Sequence, residues 1–374
     1  MKEKKTVNIL DKDYEQWVKS LVGRYRQSQI KAAVRVNAEQ LKFNWLLGRE
    51  IVELKVEERW GEGVIEQLSK DLKKEMPNVD GLSVTNLRYC RRFYLLYSQG
   101  VGIHPQLEGE INDNVSNEIH PQLEGEIQSS DYQVANLLFE IPWGHHKLIV
   151  DKVKGDVDKA LFFVRQTVEN GWSRAMLLNW IDTGLYERNG KAITNFKRTI
   201  PNETSELALE LTKDPYNFAF AGVTKKHNEA QLKEALLTNI TDFLIELGTG
   251  FAYVGKEYRL QIGETENFID LLFYNIRLRC YVVVEVKIDK FDSRDIGQLG
   301  TYVAAANHIL REEGKDNPTI GLLICRSKDS TLAKYALESS SQPIGISEYE
   351  LERFYPAKVE GTIPTIEEIE SKLK

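Results

Sequence analysis

Phe268-Ile269-Asp270-Leu271-Leu272-Phe273-Tyr274 and Tyr281-Val282-Val283-Val284-Glu285-Val286-Lys287 decide how this chain reads. Each is an apolar run of strand length. A short polar-basic turn joins them, so the spacing predicts a hairpin of two buried strands. The first strand carries an Asp and the second a Glu-x-Lys. Charged side chains inside such runs need a partner or a task. Alternation along a strand puts Glu285 and Lys287 on one face. Two carboxylates beside a lysine suit a hard divalent cation that activates water against a phosphodiester. On this reading Asp270 and Glu285 are the metal ligands, with the carbonyl of Val286 as a further oxygen. Lys287 orients the water or stabilises charge on the phosphate. Glu-x-Lys alone is weak: it occurs five times in the chain, and a salt bridge at a strand end is its plain explanation. Only the Glu285 copy ends an apolar run that follows a strand bearing an Asp.

Working outward, Glu229 to Leu247 has the spacing of one amphipathic helix, and Phe251 to Ile262 reads as a strand. Phe268 to Asn275 and Cys280 to Ile288 form the hairpin. Asp292-Ser293 starts a helix through Ile309, Thr319 to Cys325 is a further strand, and Thr331 to Ser339 a further helix. Ile344-Gly345-Ile346 adds an edge strand. The expected fold is a mixed sheet flanked by helices over residues 227–355, in the order α-β-β-β-α-β. Residues 201–226, polar and with Pro201 and Pro215, read as a linker.

Residues 8–200 read as an all-α domain. Val64 to Met76 is a helix stopped by Pro77-Asn78 and Asp80-Gly81, and Ser83 caps another that runs to about Tyr97. Helix, turn, helix is the outline of a helix-turn-helix. Arg88, Arg91 and Arg92 fall at i, i+3 and i+4 on its second helix, so they share a face suited to DNA. Ion pairing with nearby acids is the plain alternative. Between these helices and the next lies a duplicated insertion at 102–131. There Ile103-His-Pro-Gln-Leu-Glu-Gly-Glu-Ile111 recurs at residues 119–127. It reads as a surface loop without chemistry.

Gln298 and Tyr302 stack at i and i+4 on the helix after the hairpin. Asp270, Glu285-Val286-Lys287 and Gln298-Leu-Gly-Thr-Tyr302, in this element order, resemble the PD-(D/E)XK nuclease superfamily and its Q-x-x-x-Y variant. Longer stretches resemble one bacterial family within it, the YhcG-like nucleases. They include Phe243-Leu-Ile-Glu-Leu-Gly-Thr-Gly-Phe-Ala-Tyr-Val-Gly255, Asp316-Asn-Pro-Thr-Ile-Gly-Leu-Leu-Ile-Cys325 and, in the helical half, Leu161-Phe-Phe-Val-Arg-Gln-Thr-Val-Glu-Asn-Gly-Trp-Ser-Arg174. The resemblance covers nearly the whole chain outside 102–131. It implies a restriction-endonuclease-like core and Mg2+ or Mn2+ on Asp270 and Glu285. It also implies Lys287 as catalytic lysine, with Gln298 and Tyr302 supporting the site or touching the DNA backbone. Many superfamily members add a Glu from the first helix; Glu234 is the best-placed candidate, with Glu229 and Glu246 on the same helix. Ile269 stands where the pattern has Pro. The implied roles are DNA recombination or repair, or defence against foreign DNA.

Net charge is −7, which at first speaks against nucleic acid. Residues 102–131 hold seven acids and no Lys or Arg; setting them aside leaves 49 acids against 49 Lys and Arg. A neutral body can carry a local basic groove. Around the site, Arg277, Arg279, Lys290, Arg294, Arg326 and Lys328 are candidate phosphate contacts. No run of about 18 apolar residues predicts a membrane span. Met1-Lys-Glu-Lys-Lys5 leads into no apolar signal core, and Cys90, Cys280 and Cys325 show no C-x-x-C spacing. A cytoplasmic protein is therefore expected. The adjacent His145 and His146 diverge on any regular element and are not expected to share a metal. G-x-G-x-x-G, the P-loop and G-x-S-x-G are absent, which speaks against small-molecule chemistry. The competing reading is a non-catalytic nucleic-acid-binding or complex-assembly protein that retains the fold. RNA stays open as a substrate. A double-strand cut needs two active sites, which a homodimer would supply.

Overall fold

The computed structural model describes residues 12–98, 137–223 and 226–351. The acidic repeat at 102–131 and the end of the expected nuclease domain at 352–355 lie outside them. The chain divides into two compact units, Met1–Leu177 and Leu178–Lys374.

The first unit is helical: α1 (Lys12–Glu53), α2 (Val64–Glu75), α3 (Val84–Ser98), α4 (Trp143–Lys152) and α5 (Val157–Asn170), with a short helix at Val56–Trp60. Helix α3 is its centre. Ile51, Val56, Ile65 and Leu87 are buried together, and Trp45 of α1 meets Phe93 edge-on at 5.5 Å. The two helices approach so closely at Gly48 that a Cβ there would lie 2.2 Å from the carbonyl oxygen of Cys90. Ser83 caps α3 as expected, its Oγ accepting from the Asn86 amide at 3.2 Å. The connection from α2 to α3 is residues 76–83, longer than the three or four residues of a helix-turn-helix turn. Ser69 Oγ ties it down by donating to the Leu82 carbonyl at 2.6 Å. His145 and His146 are buried and held to the carbonyls of Trp172 and Leu138 at 2.9 and 2.7 Å. Burial lowers both imidazoles, His146 to about 3, and the ring nitrogens that bond these carbonyls serve the core.

The second unit is the expected mixed sheet. Its strands and the helices that pack on them are β1 (Ile193–Thr194), β2 (Tyr216–Asn217), α6 (Glu229–Thr238), α7 (Ile240–Leu247), β3 (Phe251–Ile262), β4 (Thr265–Asn275), β5 (Cys280–Lys290), α8 (Ser293–Ile309), β6 (Ile320–Ser327), α9 (Ser330–Glu338) and β7 (Ile344–Glu350), with short helices at Leu185–Arg188, Phe196–Thr199 and Asn202–Glu210 before α6. The spatial order is β1-β7-β6-β5-β4-β3. Strands β3, β4 and β5 pair antiparallel, while β5, β6 and β7 run parallel with α8 and α9 as crossovers. One face buries Leu271, Phe273, Val282 and Val284 against Leu232, Leu236, Phe243 and Leu247 of α6 and α7. The other buries Leu272, Val283 and Leu323 against Ile296, Leu299 and Val303 of α8 and Ala333 and Leu337 of α9. Strand β5 is apolar on both sides because both faces are covered.

Three features differ from the sequence reading. The helix expected over Glu229–Leu247 breaks at Asn239, whose backbone leaves the helical region. Strand β7 is no edge, since β1 and β2 both pair with it beyond β6. Over residues 201–223 the expected linker is structured instead. It contains the helix Asn202–Glu210 and β2, and residues from Leu178 onward belong to the second unit. A buried charge network holds this segment. Arg188 grips both oxygens of Glu246 on α7, with Nη2 at 3.2 Å from Oε2. Lys213 donates to the carbonyls of Glu246 and Leu247 at 2.7 and 3.0 Å. Asp214 accepts from the Glu348 amide on β7 at 2.9 Å and pairs with Lys328. Non-local charge pairs of this kind leave no trace in local periodicity.

Candidate active site

The hairpin forks at the two carboxylates. The β4–β5 ladder runs from Asn275↔Cys280 to Leu271↔Val284, and there it stops. The next residues on each strand are Asp270 and Glu285. Beyond them β4 continues beside β3, and β5 continues beside β6. The strands part where the charges begin. Alternation also slips at this point. Leu271 and Phe273 face α6 and α7, yet Ile269 is buried with Leu272 on the opposite face. Across from Asp270 on β3, Glu257 has a φ of 45°, a left-handed value uncommon for a residue with a side chain. Ile269 thus occupies a locally irregular strand even without the Pro of the superfamily pattern.

Five charges lie in a chain through the fork. Lys287 Nζ is 2.8 Å from Glu285 Oε1 and 3.7 Å from Glu229 Oε1. Lys233 Nζ is 3.2 Å from the same Glu229 oxygen and 2.9 Å from Asp270 Oδ1. The Glu285 side chain is only 3 % exposed. Burial, and then the field of Asp270, push its carboxyl up to about 7 against the pull of Lys287. For both lysines burial opposes the charge, but hydrogen bonds to Glu285 and to Asp270 respectively outweigh it and hold the ammonium groups above their ordinary range.

The remaining oxygens test whether a cation fits. Asp270 Oδ2 and Glu285 Oε2 are buried and have no hydrogen-bond partner. Orphaned buried carboxylate oxygens are costly unless something positive meets them. Among the described residues no cluster of three His, Cys, Asp or Glu is placed to hold a metal. A hard cation here would take these two oxygens, with a backbone carbonyl and waters as the rest of its shell, in the manner of Mg2+. The residues fit such an ion.

Of the expected site residues, the structure brings Asp270, Glu285 and Lys287 together and sets Glu234 apart. Glu234 is exposed and paired with Lys256 at 3.0 Å. At 100° per residue it falls about 200° round the helix from buried Leu232, whereas Glu229 lies about 60° away. Glu229 is therefore the helix acid beside the site, and Glu246 is spent on Arg188. Gln298 Nε2 donates to the Tyr302 hydroxyl at 3.1 Å on α8, which packs on β5 and β6. Lys233 was not foreseen; its position one turn after Glu229 was the available signal.

The basic residues are placed less favourably than expected. Arg277 and Arg279 sit at the hairpin turn, five or more residues along the strands from the fork, roughly 16 Å away. Arg294 is exposed but closes a fork on Asp292, at 2.9 and 2.8 Å. Lys328 is buried on Asp214. Only Lys290 and Arg326 of this group are exposed at the far ends of β5 and β6. In the helical unit Arg88, Arg91 and Arg92 each meet an acid, Glu66 at 2.6 Å, Glu57 at 3.1 Å and Asp151 at 2.7 Å.

A mixed sheet whose central hairpin forks at an Asp and a Glu-x-Lys, preceded by a helical region, defines a PDDEXK-type nuclease domain behind a helical N-terminal half. The chain belongs to the YhcG family of these proteins. Residues 209–364 match the YhcG PDDEXK nuclease domain, and residues 20–188 match the DUF1016 N-terminal domain. The chain is 30 % identical over 355 residues to the Escherichia coli (strain K12) protein named "Putative nuclease YhcG", covering 91 % of this chain and 90 % of that one. Solved structures similar to it include a repair endonuclease from Pyrococcus abyssi (21 % identity, TM-score 0.24, 35 % of this chain). Another is an EndoMS–dsDNA2 complex (26 % identity, TM-score 0.24, 36 % of this chain). The chain spans about half the length of each, 50 % and 47 %. Among the described residues no helix is long and apolar enough to cross a membrane.

Proposed function

We propose that the chain is a divalent-metal-dependent endonuclease that hydrolyses phosphodiester bonds in DNA, using Mg2+ or Mn2+ held by Asp270 and Glu285. The observation that carries this reading is the pair of buried, partnerless oxygens, Asp270 Oδ2 and Glu285 Oε2, beside a charged lysine. When bound, the cation polarises a phosphoryl oxygen and lowers the pKa of a water. Lys287 keeps its proton and stabilises the charge that develops on the phosphate. Glu229, rather than Glu234, takes the place of the helix-borne acid and orients Lys287. Gln298 and Tyr302 serve as a hydrogen-bonded pair at the strand of Glu285, towards the DNA backbone. Lys290 and Arg326, exposed at the far ends of β5 and β6, supply phosphate contacts, and Arg294 can join them by releasing Asp292. The arginines of α3 reach DNA only by exchanging their acids for phosphates. Such exposed pairs are worth little, about 1 kcal/mol or less each, so the exchange is cheap.

The test is cleavage of linear, single-stranded and four-way-junction DNA, and of RNA, with Mg2+ or Mn2+ and with EDTA. Wild type is expected to cut with metal and to stop with EDTA, and Asp270→Ala to cut nothing while still binding DNA. Equal cutting by Asp270→Ala would refute the assignment. The DNA structure preferred separates recombination or repair from defence, and sedimentation of the active species reads out the homodimer that a double-strand cut calls for.

A further inference from the structure

Lys233 makes a contact that the proposed cleavage does not need. Its Nζ donates to Asp270 Oδ1 at 2.9 Å, and both side chains are largely buried. Its other partner, Glu229 Oε1 at 3.2 Å, lies one turn back on the same helix. The fork thus holds two carboxylates, each with one oxygen on a lysine and the other bare and buried. In the metal-free chain two ammonium groups offset the charges of Asp270 and Glu285. A divalent cation on the bare oxygens would meet both of them as like charges in a partly desolvated place, where Coulomb repulsion is strong. Lys287 is fixed on the same strand as its carboxylate, two residues away. Both lysines also reach Glu229 Oε1, Lys233 at 3.2 Å and Lys287 at 3.7 Å, but only Lys233 holds its carboxylate from a separate element.

We propose that Lys233 is the exchangeable cation of this site: it holds Asp270 in the metal-free protein and withdraws to Glu229 when a divalent ion binds, so that it sets the affinity for metal. The inference rests on reading Asp270 and Glu285 as metal ligands. Removing the ammonium removes a competitor and leaves Asp270 in need of a cation.

The experiment is calorimetric titration of Mn2+ into the metal-free full chain, for wild type, Lys233→Met, Lys233→Arg and Asp270→Asn. Lys233→Met is expected to bind Mn2+ about tenfold more tightly, the order expected when a unit charge next to a carboxylate is removed. Lys233→Arg keeps the charge and should stay near wild type, while Asp270→Asn should lose binding. Without metal, Lys233→Met should melt below wild type, and saturating Mn2+ should close the gap. If Lys233→Met does not fold without metal, Lys233→Gln gives the same comparison. Affinity that is unchanged or weaker in the folded variant overturns the exchange and leaves the metal site standing. No Mn2+ binding by wild type or variant overturns the metal reading and the exchange together.

Discussion

Glu285→Gln is expected to lower cleavage by about a thousandfold, roughly 4 kcal/mol of transition-state stabilisation, while making the metal-free protein more stable above neutral pH. The second half follows from proton linkage. Burial, then Asp270, raise the Glu285 carboxyl from its ordinary 4.5 to about 7 in the folded chain. Between those values the folded state binds more protons than the unfolded state. Stability is therefore fully present below about pH 4.5 and falls as pH rises through 7. A shift of this size corresponds to about 3 kcal/mol lost by about pH 8. Gln has no proton to give up, so the variant should not show this fall. Urea denaturation in EDTA near pH 5 and near pH 8, for both proteins, measures it. The same loss in both would refute the strained carboxylate, and retained cleavage would refute its role. Stability given up at two crowded acids is what a site awaiting a cation should display.

The other large effect lies away from the fork. Glu246→Ala should destabilise the second unit by about 3–5 kcal/mol, the usual cost of stranding one member of a buried ion pair. Arg188 and Glu246 are each about 1 % exposed. Glu246 Oε1 also accepts from the Asn217 amide at 2.9 Å, and Arg188 donates onward to the carbonyls of Thr183 and Pro215 at 3.2 and 3.3 Å. Removing the carboxylate leaves a buried guanidinium and an amide without their acceptor. The double variant Arg188→Met/Glu246→Leu should recover much of the loss, because a packed apolar pair carries no stranded charge. A thermal melt of the single and double variants decides it; additive losses would mean the two residues do not act as a pair.

Most of the sheet was legible in the sequence because its signals are local. Apolar runs bounded by turns located β3, β4 and β5 to within a few residues. Asp292 announced α8 by capping it: its Oδ1 accepts from the Arg294 amide at 2.9 Å, and its own amide donates to Asp295 Oδ2 at 3.1 Å. The meeting of Asp270, Glu285 and Lys287 at one place was legible because charge inside an apolar strand is conspicuous. Which acid of α6 lies beside them was not, since the choice between Glu229 and Glu234 turns on which face of α6 meets the sheet. Nor was the fate of the arginines, whose acids lie 22 to 59 residues away in sequence. Strand β7 read as an edge because β1 and β2 are two residues long, too short to register as strands.

The annexation of residues 178–223 by the sheet bears on how this chain can be dissected. A fragment begun at residue 227, where sequence periodicity resumes, would discard Arg188, Lys213 and Asp214 and strip β7 of both short strands. One begun at 209, where the nuclease-domain match starts, would keep Lys213, Asp214 and β2 but still orphan Glu246. Any cut up to residue 188 keeps Arg188, Lys213 and Asp214, and one at 178 keeps the whole compact unit. A nuclease fragment that keeps these ties therefore begins inside the stretch matched by the N-terminal family, which reaches residue 188.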